Sequence, residues 1–102
     1  MKIELLNIEK GKKYAQPQYR IDYMAGEEYK SVLLPAGIPT RDQIINEVIS
    51  ERYPVDKMEA VVNNYLLDMT DEEAVSEFNQ MQEYRQAAKE FADVVLKEIG
   101  GV

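Results

Sequence analysis

Residues 71–99 read DEEAVSEFNQMQEYRQAAKEFADVVLKEI, a run without glycine or proline. At 100° per residue, Ala74, Phe78, Met81, Tyr84, Ala88, Phe91, Ala92, Val95, Leu96 and Ile99 fall in one stripe roughly 140° wide. Glu72, Asn79, Glu83, Gln86, Glu90 and Lys97 stand opposite it as a solvated face. Thr70 followed three residues later by Glu73 has the form of a capping box, and Asp71, Glu72 and Glu73 put negative charge at the positive end of the helix dipole. Lys97 and then Gly100-Gly101 mark the other end, where glycine takes the left-handed cap. The pattern predicts one long, unbroken helix over about 71–99.

Its length has a structural consequence. The 28 residues from 71 to 98 rise about 42 Å, whereas a compact chain of this size has a radius of gyration near 13 Å and a diameter of roughly 34 Å. With nothing to break the helix, one end must project, and its apolar stripe then needs another surface. A finer reading gives heptads, with Phe78, Arg85, Ala92 and Ile99 at one seam position and Ala74, Met81, Ala88 and Val95 at the other. That pattern suits a helix pair in which small residues allow close approach, and with Arg85 in the seam it suits an ordinary core helix equally. Phe78, Met81, Arg85, Ala88, Ala92 and Val95 are therefore the candidate interaction residues, with a second copy of the chain as their expected partner. Arg85 in such a seam either snorkels to a nearby carboxylate or meets Glu73 or Glu77 of an antiparallel partner.

Upstream of this helix the periodicity changes. Lys2 to Glu9 reads as a strand, Ile3 and Leu5 on one face and Leu6 and Ile8 on the other, the broken alternation implying a bulge or burial on both faces. Lys10-Gly11-Lys12-Lys13 reads as a turn. Gln18 to Ala25 alternates cleanly, with Pro17 at its start, and Tyr29 to Leu34 makes a third strand after the short connection Ala25-Gly26-Glu27-Glu28. Short turns between three strands imply an antiparallel meander with one face to be covered. Pro35 to Pro39 is a stiff loop dividing the β half, 1–34, from the helical half, 40–99. Neither half buries its apolar face alone, so residues 1–102 form one domain.

Thr40 with Gln43 caps a second helix carrying Ile44, Ile45, Val48 and Ile49, which ends near Tyr53-Pro54 because the residue before proline avoids helical geometry. Asp56 with Glu59 reads as the next cap. Met58, Val61, Val62, Tyr65, Leu66 and Met69 then recur at amphipathic spacing. The expected fold is α+β, a three-stranded antiparallel β-meander followed by three α-helices, the last one long.

Composition bounds what such a domain does. Its 102 residues are 45% apolar and 30% charged, ordinary for a folded protein. Residues 1–34 carry six basic and five acidic side chains, and residues 35–102 six and fourteen, giving the formal charge of −7. An acidic helical half repels phosphate backbones and anionic membranes. The absence of cysteine fits a reducing compartment. With no apolar run long enough to span a bilayer and no signal-peptide pattern, since Glu4, Asn7 and Glu9 interrupt the N-terminal stretch, a cytoplasmic protein is expected.

Little chemistry is on offer. The chain has no His and no Cys, which removes the commonest general base, metal ligands and nucleophile pairs. Ser31, Ser50 and Ser76 lie outside any Gly-x-Ser-x-Gly elbow, and five glycines form no phosphate-cradling loop. No motif calls for a metal or cofactor, and Asp71–Glu73 are explained by the helix start. Residues 41–67 have the outline of a helix-turn-helix, but Lys57 is the only cation of its second helix, beside Asp56, Glu59 and Asp68, which argues against DNA. Asn63 and Asn64 are its only amide groups suited to reading a base. Tyrosine outnumbers phenylalanine seven to two, and Tyr14, Tyr19, Tyr23, Tyr29 and Tyr53 gather in or near the sheet, where they pack on the helices or offer an interface.

The leading expectation is a non-enzymatic protein–protein interaction or assembly module that self-associates through its long helix. A DNA-binding regulator built on 41–67 and an enzyme using the tyrosine-rich sheet are the alternatives. In size, acidity and element order the chain resembles accessory proteins of phages and mobile elements, a resemblance of type carried by no motif.

Overall fold

The computed structural model describes residues 1–100. Its elements run β1 (Ile3–Lys13), β2 (Gln16–Ala25), β3 (Glu28–Leu33), α1 (Arg41–Arg52), α2 (Val55–Leu67) and α3 (Glu72–Ile99). The strands form one antiparallel sheet in the order β1-β2-β3. The fold is the α+β meander with three helices that the periodicities imply.

The bulge in β1 lies between Leu5 and Asn7. Leu6 is the extra residue and points to solvent, and after it the alternation is reset. Ile3, Leu5 and Ile8 therefore share the core face, opposite Ala25, Tyr23 and Ile21. The assignment of Ile8 to the face of Leu6 is corrected by this single inserted residue.

Lys10 to Lys13 is not a turn but the end of β1, paired with Gln16 to Tyr19. The chain reverses instead at Tyr14-Ala15, with φ of 52° and 64°. Two-residue hairpins need these left-handed values, and neither residue is one of those that adopt them readily. Glycine signals therefore pointed to Gly11, three residues too early. The second hairpin follows the usual chemistry, Gly26 taking φ 65° between Ala25 and Glu28.

Pro17 belongs to the central strand but causes no conflict, because β3 pairs only with residues 20–25 of β2. Along the first part of β2 the loop after β3 takes over: the Leu34 N–H donates to the Tyr19 carbonyl at 2.9 Å and the Gly37 N–H to the Pro17 carbonyl at 2.7 Å. This brings the chain to Thr40, where α1 starts with both arms of its capping box, Gln43 N–H to Thr40 Oγ1 at 3.2 Å and Thr40 N–H to Gln43 Oε1 at 3.0 Å.

The core lies between the sheet and the layer made by α1 and the second half of α3. Ile21, Tyr23, Ile44, Val48, Met81, Tyr84, Ala88, Ala92 and Val95 are fully enclosed there. Tyr23 meets Phe91 with ring centroids 5.1 Å apart, Tyr53 meets Tyr84 at 5.5 Å, and the Tyr84 hydroxyl donates to the Val48 carbonyl at 3.2 Å. Arg41 Nε reaches Asp93 Oδ1 at 2.7 Å, tying the start of α1 to α3. Lys30 Nζ bridges Glu28 and Glu51, tying β3 to the end of α1.

Two caps differ from expectation. α2 begins at Val55 behind Pro54, with no side-chain cap, so Asp56 and Glu59 lie inside the helix. α3 is capped by Asp71, whose carboxylate accepts from the Glu73 N–H at 3.2 Å. Thr70 is occupied otherwise: its N–H and hydroxyl both donate to Asp68 Oδ1, at 2.9 and 2.6 Å. That turn engages Thr70 before it can serve the helix. At the other end Gly100 has the left-handed φ of 81°, while Gly101 lies outside the described residues.

Candidate interaction surface

The long helix does not bend back into a compact body. The molecule measures 51 × 24 × 23 Å with a radius of gyration of 15.3 Å, against about 13 Å for a compact chain of this size. The excess is an arm. α3 packs on α1, on β1 and on α2, and Tyr65 of α2 meets Phe78 in its first half. The turn 68–71 folds α2 and α3 into a helical hairpin, and stacked Tyr65 and Phe78 rings, 4.2 Å apart at 9°, fix their level.

This geometry redistributes the candidate interaction residues. Met81, Ala88, Ala92 and Val95 have no exposed surface at all. They are covered by the chain's own α1, α2 and sheet, so a second copy cannot reach that seam. Phe78 and Arg85 stand half-buried at its edge, Arg85 Nη1 donating to Gln82 Oε1 at 3.3 Å. The heptad was real, but its partner is intramolecular.

What the fold leaves open lies on α2. Val61 is its single buried residue. Met58 and Val62 are half-buried, and Val55, Leu66 and Met69 are 63%, 58% and 57% exposed. Set at 100° per residue, Val55, Met58, Val62 and Leu66 fall within about 80° on the flank of the helix beyond Tyr65. Met58 and Val62 pack inward against the core, and Met69 follows the helix in the turn 68–71. A shallow depression of about 230 Å³ lies among Val55, Met58, Glu59, Val62 and Asn63. Isolated exposed apolar residues need no explanation, whereas several on one flank of a helix are unusual for a surface with no use. Val55 was missed because the cap was placed after it. The signal for the rest was available: the whole apolar sector of α2 spans about 140°, more than one neighbouring helix covers.

Two other concave places are less suited to binding. Between α2 and α3 a groove of about 360 Å³ is lined by Arg52, Lys57, Asn64, Glu77 and Gln80. Its cations already lie over aromatic rings, Arg52 at 5.1 Å from the Tyr84 centroid and Lys57 at 5.1 Å from that of Tyr53. They close the end of the core. A second, wider groove follows the free edge of β1 beside Val94 and Glu98. On the solvent face of the sheet Asp22 is almost fully buried, held by Ser31 Oγ at 2.7 Å and Arg20 Nε at 3.2 Å. These bonds, the Ser31 one foremost, keep its carboxyl below the usual range against the opposing effect of burial.

α1 and α2, the pair read as a possible helix-turn-helix, each pack on α3 rather than on one another. Among the described residues no helix is long and apolar enough to cross a membrane. No family model, curated protein or solved structure matches the chain.

Proposed function

We propose that the protein is a non-enzymatic interaction or assembly module that self-associates through its helical arm. One observation carries this reading: Val55 and Leu66 on one flank of α2, and Met69 in the turn after it, are 63%, 58% and 57% exposed beside Met58 and Val62, whose inner sides pack on the core. Burying their exposed sides gains roughly 25 cal/mol for each Å² of apolar surface removed from water. The arm supports the reading, since it carries all five. Light scattering on a sizing column over a range of concentrations tests it. The expected result is a species of about 24 kDa, twice the 11.8 kDa chain, at micromolar protein. A species of one chain's mass throughout, together with rapid proteolysis confined to the arm, would count against self-association.

A further inference from the structure

β1 is an edge strand of 11 residues, paired with β2 on one side only. The reversal at Tyr14-Ala15 makes Lys13 and Gln16 its closing hydrogen-bonded pair. Counting back from there, Gly11 and Glu9 turn their backbone groups towards β2, while Lys12, Lys10 and Ile8 turn theirs out of the sheet. Every residue from Glu9 to Lys13 is exposed. The bulge at Leu6 interrupts the edge just before Ile8. What stays open is one regular segment, Ile8 to Lys13, about 20 Å long.

Its charge is one-sided. Between Lys10 and Arg20 the sequence holds no carboxylate, and across the ladder Lys10, Lys12 and Lys13 face Tyr19, Pro17 and Gln16. Arg20, Lys30 and Arg41 each have a carboxylate within 4 Å, whereas among the described residues these three lysines have none. They stand uncompensated in a chain of formal charge −7. We propose that an extended acidic segment of another protein adds here as a fourth strand beside β1. Its backbone pairs with the outward groups of Ile8, Lys10 and Lys12, and carboxylates two residues apart meet Lys10 and Lys12, which share one face. A second copy of β1 does not fit. An antiparallel twofold centred anywhere from Glu9 to Lys12 sets Glu9 on Glu9, Lys10 on Lys10, Lys10 on Lys12 or Lys12 on Lys12. Lysines turn such an edge away from its own kind, and the same charge admits a strand bearing carboxylates. A nucleic acid has no amide ladder to offer these backbone groups.

The probe is a fluorescein-labelled hexapeptide of alternating Glu and Val, followed by anisotropy. Expected is saturable binding with a midpoint below about 1 mM, together with slowed exchange of the Ile8, Lys10 and Lys12 amides. Lys10→Glu combined with Lys12→Glu, both at exposed positions, weakens binding about tenfold or more. Glutamates set opposite Lys10 and Lys12 aim their own N–H groups at β1. N-methylation of the peptide at its Glu residues therefore abolishes binding, and N-methylation at its Val residues leaves it intact. No saturation up to about 1 mM overturns the proposal. Equal binding by the Glu-methylated peptide shows that charge alone holds it and overturns strand addition. Tighter binding of a single-stranded oligonucleotide of equal charge assigns the lysines to phosphate and overturns the peptide partner.

Discussion

Tyr65 and Phe78 lie face to face, centroids 4.2 Å apart and planes 9° from parallel, and this pair clamps α2 to α3. Apart from Val61, α2 has no fully buried side chain to hold it. Tyr65→Ala removes the clamp at a half-exposed site, so the cost is about 2 kcal/mol, below the range for a fully buried ring. The loss is local. Hydrogen exchange should speed up across 55–67 while β2 and α1 keep their protection, and uniform loss of protection would show that the arm and body unfold as one.

The division between covered and uncovered apolar residues on the arm separates two substitutions of the same kind. Met81 is completely enclosed and Leu66 is 58% exposed. Met81→Glu puts an unpaired carboxylate into the core, a penalty comparable with the whole stability of a domain this size, and the circular dichroism of the folded chain is lost. Leu66→Glu changes stability by no more than about 0.5 kcal/mol and abolishes the dimer on a sizing column. If Leu66→Glu left the mass doubled, this flank of α2 would not be the contact.

The cap of α3 gives a comparison between neighbours. Asp71 accepts from the Glu73 N–H, while Thr70 is engaged with Asp68. Asp71→Ala therefore costs about 1 kcal/mol in thermal or urea unfolding. Thr70→Ala costs less, because it loosens the turn without exposing the helix start. The reverse order would restore the capping box read from the sequence.

Those two residues also show where sequence reading stops. The strands, the three helices and the unbroken length of α3 were legible because periodicity integrates over many residues and no single choice decides it. Thr40 and Gln43 made their box because nothing competes for Thr40. Thr70 did not, because Asp68, two residues away, claims its hydroxyl, and such competition between neighbours leaves no periodic trace. Tyr14-Ala15 was illegible for a related reason: its left-handed turn is imposed by the pairing of β1 with β2 against local preference. The candidate surface failed differently. The heptad of α3 correctly reported that a partner covers Met81, Ala88, Ala92 and Val95, but a pattern of burial cannot say whose surface does the burying. The exposed apolar residues of α2, Val55 and Leu66 among them, emerged only once the fold had assigned α3 to the core.

On the outer sheet face Asp22 accepts from Ser31 and Arg20, and its carboxyl titrates below the ordinary carboxylate range. A carboxylate whose folded pKa lies below its unfolded value stabilises fully above the unfolded pKa, near 4, and its contribution disappears as pH falls through the lowered folded value. Urea unfolding at stepped pH should find Asp22→Asn less stable than the parent at pH 7. The gap should close as the pH is taken from about 5 towards 2. A gap constant over that range would mean that shape, not charge, is what position 22 supplies.

Two buried tyrosines make opposite predictions for the same chemical change. The Tyr84 hydroxyl donates to the Val48 carbonyl at 3.2 Å, linking α3 to α1, whereas the Tyr23 hydroxyl, also enclosed, has no hydrogen-bond partner. Tyr84→Phe removes a made bond at a cost of about 1 kcal/mol, while the Val48 carbonyl keeps its place in the α1 ladder. Tyr23→Phe removes a desolvated group that gains nothing, so the variant should be neutral or more stable by up to about 1 kcal/mol. Paired urea titrations of the two variants measure the contrast directly. Equal destabilisation would place a partner on the Tyr23 hydroxyl, and the Tyr84 hydroxyl, whose interaction with it adds to burial in raising the Tyr23 pKa, is the first to test by the double variant.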